Sequence, residues 1–270
     1  MKYIRKFETL SGQTEYLNSA DIDTYVGYVD ENETVYYDDA IPEPAPYSLD
    51  YMTFVAEADN LTIGLAYAED NVYQYSTDSG TTWNNLTNNQ STTSVNSGET
   101  IMFKASGLTR HSYYGIGVLT PSVNARVQGN IMSLVYGDDF ARKTSLAIGS
   151  QFTALFWKAT KLTSAENLIM PATTLTIGCY QEMFNGCTSL TTAPTLPATT
   201  LTNFCYSMMF NNCPSLNYIK CLATDISAYH CTDYWTSGVA STGTFVKAAS
   251  MNDWTTGKNG IPNNWTIENE

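Results

Sequence analysis

Two patterns of hydrophobic and polar positions divide this chain. Between residues 48 and 130, short apolar runs (LTIGLAY, NVYQYS, ETIMFKAS and YYGIGVL) alternate with turn clusters in a stretch rich in Thr, Asn, Tyr and Gly, with no helical period. Such runs predict an antiparallel β-sandwich, Ig-like in type. From residue 156 the pattern becomes an internal repeat. PATTLTIGCYQEMFNGCTSLTTAPTL from Pro171 and PATTLTNFCYSMMFNNCPSLNYIKCL from Pro197 align with a period of 26 residues. The alignment sets Leu175 on Leu201, Cys179 on Cys205, Met183 on Met209, Phe184 on Phe210, Cys187 on Cys213 and Leu190 on Leu216. Upstream, FWKATKLTSAENL matches FNGCTSLTTAPTL at an offset of 28; downstream, Cys231 keeps the period while Trp235 and Thr236 replace the Met-Phe pair. Decay at the end suits a solenoid, whose last coil must close an otherwise exposed core.

Within one repeat, Leu175, Cys179, Met183 and Cys187 stand at i, i+4, i+8 and i+12 with Phe184 beside them, which reads as one apolar face of a short helix or helical turn. Gly186 stands where its C-terminal cap would be. In SLTTAPTLP, Pro194 and Pro197 argue against a central strand of a broad sheet and favour one short strand per coil. The expected fold is therefore mainly β: a sandwich over 48–130, a bridge and N-terminal cap over 131–155, a short leucine-rich-repeat solenoid over 156–235 and a C-terminal cap over 236–270. IPEPAPY makes 42–47 a Pro-rich linker. Ahead of it, residues 1–41 form an acidic attachment segment, in which TYVGYVDENETVYY predicts a small hairpin or an added strand.

Charge sharpens this division. Residues 1–80 hold 16 acidic and 3 basic side chains, while residues 81–270 hold 10 of each, so the whole net charge of −13 sits in the first third. That balance argues against a nucleic-acid binder and leaves the acidic segment as a solvated tail or an arm for a basic partner. No apolar run is long enough to span a membrane, and MKYIRKFETLSGQTEYL has a basic start without the apolar core of a leader. No membrane insertion and no export through a cleaved leader are expected.

All six cysteines lie between Cys179 and Cys231 without any C-x2-C spacing, and only His111 and His230 could add imidazole. Zinc, other metals and cofactors are not expected; reduced, buried thiols are. Tyr136-Gly137-Asp138-Asp139 copies the two-aspartate hairpin of RNA-dependent polymerases in four residues, too few to outweigh a simple turn. Ser76-x-Asp78-x-Gly80-x-x-Trp83 resembles the Asp-box of sialidases and related β-proteins, a structural hairpin in which Asp bonds the turn backbone, Gly supplies the unusual dihedral and Trp packs beneath. A sialidase would need several boxes and an arginine cluster, and the chain has four arginines in all. His230 beside Cys231 is a sequence neighbour rather than a nucleophile pair, and no catalytic residues are assigned.

The pattern F-x-G-C-x-S-L followed by A-P-x-L-P-A-T-T-L resembles BspA-like leucine-rich repeats over about residues 156–235. The wider layout, with GNIMSLVYGDDF as bridge and GTFVKAASMNDWTTGKNGIPNNWTI as ending, resembles virion structural or fibre proteins of gut Bacteroidales phages, crAss-like ones included. These resemblances imply a non-enzymatic protein of the virion surface, assembled in the host cytoplasm. Its partners would be other virion proteins and a host cell-surface glycan or protein. A bacterial surface adhesin and a carbohydrate-active enzyme built on the β-domain are the alternatives. Homo-oligomerisation stays open, since fibres are often dimers or trimers while no heptad run argues for either. Contact is expected on the strand face of the repeats, where aligned coils differ: Ser164, Thr192 and Tyr218 share one column, and Glu166, Pro194 and Lys220 another. Thr192, Tyr218 and Lys220 are the candidate partner-binding residues.

Overall fold

A computed structural model describes residues 50–110, 113–146 and 148–270, together with four short strands between residues 2 and 37. The chain divides into two compact units, Met1–Pro46 and Tyr47–Glu270. In the first, β1 (Lys2–Ile4), β2 (Tyr16–Leu17), β3 (Gly27–Val29) and β4 (Val35–Tyr37) form an antiparallel sheet in the order β2-β1-β3-β4. β3 and β4 pair with Val29 opposite Val35, which is the hairpin expected within TYVGYVDENETVYY. The Pro-rich linker at 42–47 lies outside the described residues.

The second unit begins with eight strands: β5 (Met52–Ala56), β6 (Ile63–Ala66), β7 (Tyr73–Ser76), β8 (Asn84–Leu86), β9 (Gln90–Ser91), β10 (Thr100–Lys104), β11 (Val118–Pro121) and β12 (Ala125–Asn130). Five of them run antiparallel in the order β12-β5-β10-β7-β8, and β11-β6-β9 form a separate small sheet. Their side chains follow the two-residue period of a half-buried strand: Ile63 and Leu65 of β6, and Ile101 and Phe103 of β10, are buried while their neighbours are partly exposed. A short helix, α1 (Ser133–Tyr136), follows. The repeats then contribute β13 (Leu162–Ile169), β14 (Thr192–Leu196) and β15 (Tyr218–Cys221), and the C-terminal segment adds β16 (Thr244–Lys247) and β17 (Thr266–Asn269). These five are parallel neighbours, the strand side of a β-solenoid of about four turns.

The Ig-like sandwich is not what this topology establishes. β12 pairs antiparallel with β5 on one edge and parallel with β13 on the other, so ten strands form one continuous sheet from β8 to β17. A parallel partner needs a long crossover, and residues 131–161 supply it, so the expected bridge is a chain crossing within one unit. Phe54 of β5 meets Phe156 of the first coil edge-on at 5.9 Å, and one buried cluster reaches from Met52 to Trp265. The expected C-terminal cap likewise continues the sheet through β16 and β17, and within it Trp254 stacks on Trp235 at 5.3 Å.

The side of each coil opposite the strand is not helical. Four residues on a helix turn through about 400°, so an i, i+4, i+8 row drifts by about 40° per step and does not hold one face. This row instead follows a backbone with a strict period of four: φ is positive at Gly178, Glu182 and Gly186, at Phe204, Met208 and Asn212, and at His230, Tyr234 and Gly238. Alternate N–H groups close turns on the carbonyl three residues back, as from Met183 N to Tyr180 O (3.2 Å). The others cross to the next coil, as from Phe152 N to Cys179 O (2.9 Å) and Tyr180 N to Cys205 O (3.1 Å). Side chains then leave in pairs: Cys179 with Tyr180 and Met183 with Phe184 join the hydrophobic core, while the pair between them, Gln181 and Glu182, does not. Gly186 therefore serves a left-handed turn position rather than a helix cap.

Stacking these coils aligns aromatic side chains inside the solenoid. Phe152, Tyr180, Tyr206 and Trp235 form one ladder with centroids 5.8, 6.1 and 6.3 Å apart. Phe156, Phe184 and Phe210 form a second at 5.3 and 5.6 Å. All seven rings are essentially without solvent contact. Burial at this density, with each ring also gaining face contact from its neighbours, is what a narrow solenoid needs to offset chain ordering.

Candidate functional site

Four groups of residues carry recognisable chemistry, beginning with the Asp-box in the β7–β8 hairpin. Asp78 accepts from Thr82 N (2.9 Å) and Thr82 Oγ1 (2.6 Å), and the Ser76 hydroxyl donates to it at 2.7 Å. These donors hold its carboxyl down at about 2. Ser76 Oγ accepts from Gly80 N (2.9 Å), and Gly80 itself takes a φ of +84°. Trp83 packs against the edge of Tyr51 at 5.0 Å, with Lys104 Nζ 4.3 Å above its ring. The Gly137-Asp138-Asp139 segment closes the same patch as a 3₁₀ turn: Lys104 Nζ and Tyr51 Oη donate to Asp138 at 2.8 and 2.7 Å. Lys104 foremost, then Tyr51, hold the Asp138 carboxyl below its ordinary range. Burial, then Asp138, push the Tyr51 hydroxyl up to about 12. Both aspartates are thus engaged by their own surroundings.

The strand face brings Ser164, Thr192, Tyr218, Thr244 and Thr266 into one register. The second expected column is corrected: Lys220 stands opposite Thr195, not Pro194, because β14 carries an irregularity between Thr192 and Thr195. Pro194 cannot donate to the ladder, and strands accommodate such a residue at a bulge. Thr192, Tyr218 and Lys220 are each half-buried. Lys220 Nζ is 2.7 Å from the Glu270 carboxylate, so its charge is already paired within the chain.

All six thiols are buried and unbridged. Cys187 Sγ donates to Phe156 O and Cys213 Sγ to Phe184 O, both at 3.0 Å, so the two occupy equivalent places in successive coils. Burial pushes Cys205, Cys213 and Cys221 up to about 12, far from a nucleophilic thiolate. Among the described residues, no three His, Cys, Asp or Glu side chains are grouped to hold a metal ion.

The fourth group was not singled out by sequence reasoning. On the turn side of the coils an open cleft of about 410 Å³ lies between Tyr113, Gln181, Glu182, Ser207, Tyr229 and Tyr234. Tyr229 is 63% exposed and Tyr113 51%. Phe204 stacks on His230 at 5.4 Å, His230 Nδ1 meets an Asp233 carboxylate oxygen, and Tyr234 carries Lys258 Nζ 3.9 Å above its ring. Glu182 is buried to 6% exposure with Asn185 Nδ2 donating to it at 3.0 Å; burial pushes its carboxyl up, only partly opposed by that bond. Phe204, Met208, His230, Tyr234 and Glu182 all occupy left-handed positions. The legible signal was there: Gly178 of one coil aligns with Phe204 and then His230 of the next two, placing bulky rings where the backbone favours glycine. No protein-family model, no curated protein and no solved structure matches this chain.

Proposed function

We propose that the chain is a non-enzymatic structural protein of a phage virion, a fibre or a capsid or tail decoration, whose BspA-like repeats make contact with the host surface or with a neighbouring virion protein. The observation that supports this reading most is the contrast between the two sides of each coil. Core columns repeat almost unchanged as Cys179, Cys205 and Cys231, while the outward register runs Ser164, Thr192, Tyr218. A stacked array constrains its inner columns and leaves the outer ones to carry specificity. Asp78 is engaged within its own turn, the structural role that the Asp-box resemblance implies. The test is the double variant Tyr218→Ala with Lys220→Ala, scored by incorporation into particles and adsorption to host cells, alongside localisation of the chain in particles by cryo-electron microscopy. Loss of either activity is expected; unchanged values for both would overturn the strand-face assignment, and absence of the chain from particles would overturn the virion reading.

A further inference from the structure

The aromatic cleft lies on the opposite side of the coils from the strand face and extends beyond its own walls. Tyr113 meets Tyr114 edge-on at 5.4 Å, Tyr114 stacks on Tyr67 at 4.1 Å, and Trp157 leans on Tyr114 at 5.3 Å. Tyr67 is 47% exposed. A strip of aromatic faces therefore leads from Tyr67 through Tyr113 to Tyr229 and Tyr234. Rings that serve only packing withdraw from water, as the inner ladders do, whereas Tyr67, Tyr113, Tyr229 and Tyr234 stay 41 to 63% exposed.

We propose that this strip and cleft bind a neutral glycan chain, with sugar rings laid on the tyrosine faces and their hydroxyls donating to Glu182 and Asp233. A pyranose has an apolar face of C–H groups and a rim of hydroxyls, which asks for flat apolar surface beside polar acceptors. Tyr229 and Tyr113 supply the first; Glu182, Asp233, Gln181 and Ser207 supply the second. Charge favours a neutral chain: Glu182 and Asp233 line the cleft, His230 is already engaged by Asp233, and the Lys258 and Lys158 ammonium groups are held over the rings of Tyr234 and Trp157. A sialic or uronic acid would add a third carboxylate there, against like-charge repulsion in a partly desolvated site. The length of the strip calls for several sugar units rather than one.

The inference rests on the contact reading only in that the glycan is held and not cut. The full chain is titrated calorimetrically with neutral malto-, cello- and manno-oligosaccharides of two to six units, and a printed array of neutral glycans is screened beside them. Sialyllactose, oligogalacturonate and a lysine-rich peptide serve as comparators. At least one neutral series is expected to bind, with affinity rising with chain length. Tyr229→Ala, an exposed position, is expected to lose roughly tenfold in affinity with an unchanged melting midpoint. Tyr113→Ala tests the strip from its other side, Glu182→Gln is expected to weaken binding several-fold, and Tyr218→Ala is expected to leave it unchanged. No binding by any neutral glycan, preference for an acidic glycan or the basic peptide, or full affinity in both folded Tyr229→Ala and Tyr113→Ala overturns the inference. Shortened glycan in the mixture would overturn the non-enzymatic reading while leaving the site in place.

Discussion

At the scale of single residues, side chains with chemical potential are mostly occupied by their own neighbours. Asp78 shows this most plainly, since its carboxylate collects Thr82 and Ser76 within one turn. Its carboxyl sits at about 2 when folded, below the ordinary aspartate value near 3.9. A depressed folded value stabilises the native hairpin above the unfolded value and loses that effect as pH falls through the folded one. Asp78→Ala is therefore expected to melt below the wild type at neutral pH, with the gap closing between roughly pH 5 and pH 2. Melting curves across that range check it, and a gap independent of pH would show that the ionised carboxylate is not what Asp78 contributes to the hairpin. The role was legible because a turn is local: Ser76, Asp78, Gly80 and Trp83 meet within eight residues of chain. The pairing of Asp138 with Lys104 and Tyr51 was not legible, because it joins positions 34 and 87 residues apart.

At the scale of elements, the repeat period was readable and the shape of the coil was not. Core residues recur every 26 positions because stacked coils place them in contact, and that recurrence is visible without knowing the backbone. A spacing of four, however, suits both a drifting helical face and a chain of four-residue turns, and only the positive φ at every fourth residue separates them. Gly178 tests the distinction. It holds φ +61°, and an added Cβ would lie 2.9 Å from Ser150 Oγ. Gly178→Ala is expected to cost about 1 to 2 kcal/mol from the left-handed conformation alone, measured by denaturant unfolding. In a helical coil the same change would stabilise, because alanine is the better helix former. The expected strand per coil is present, with Pro194 accommodated at the irregularity of β14.

At the scale of the whole molecule, β12 and the core decide how Tyr47–Glu270 behaves. Because β12 is shared between the antiparallel strands and the solenoid, and Phe54 meets Phe156 across the junction, neither half has a closed core without the other. A single cooperative unfolding transition is expected for Tyr47–Glu270, with tryptophan fluorescence and far-UV circular dichroism coinciding; two separated transitions would return the halves to independent domains. The sequence by itself determined the mainly β character, the repeat, the buried thiols and the Asp-box hairpin, since each depends on composition, local chemistry or strict recurrence. Tertiary structure alone decided the continuous ten-stranded sheet, the partner of Lys220 and the aromatic strip from Tyr67 to Tyr234. Those features join residues far apart in the chain, and a pairing partner or a shared surface has no counterpart in the pattern of any one segment.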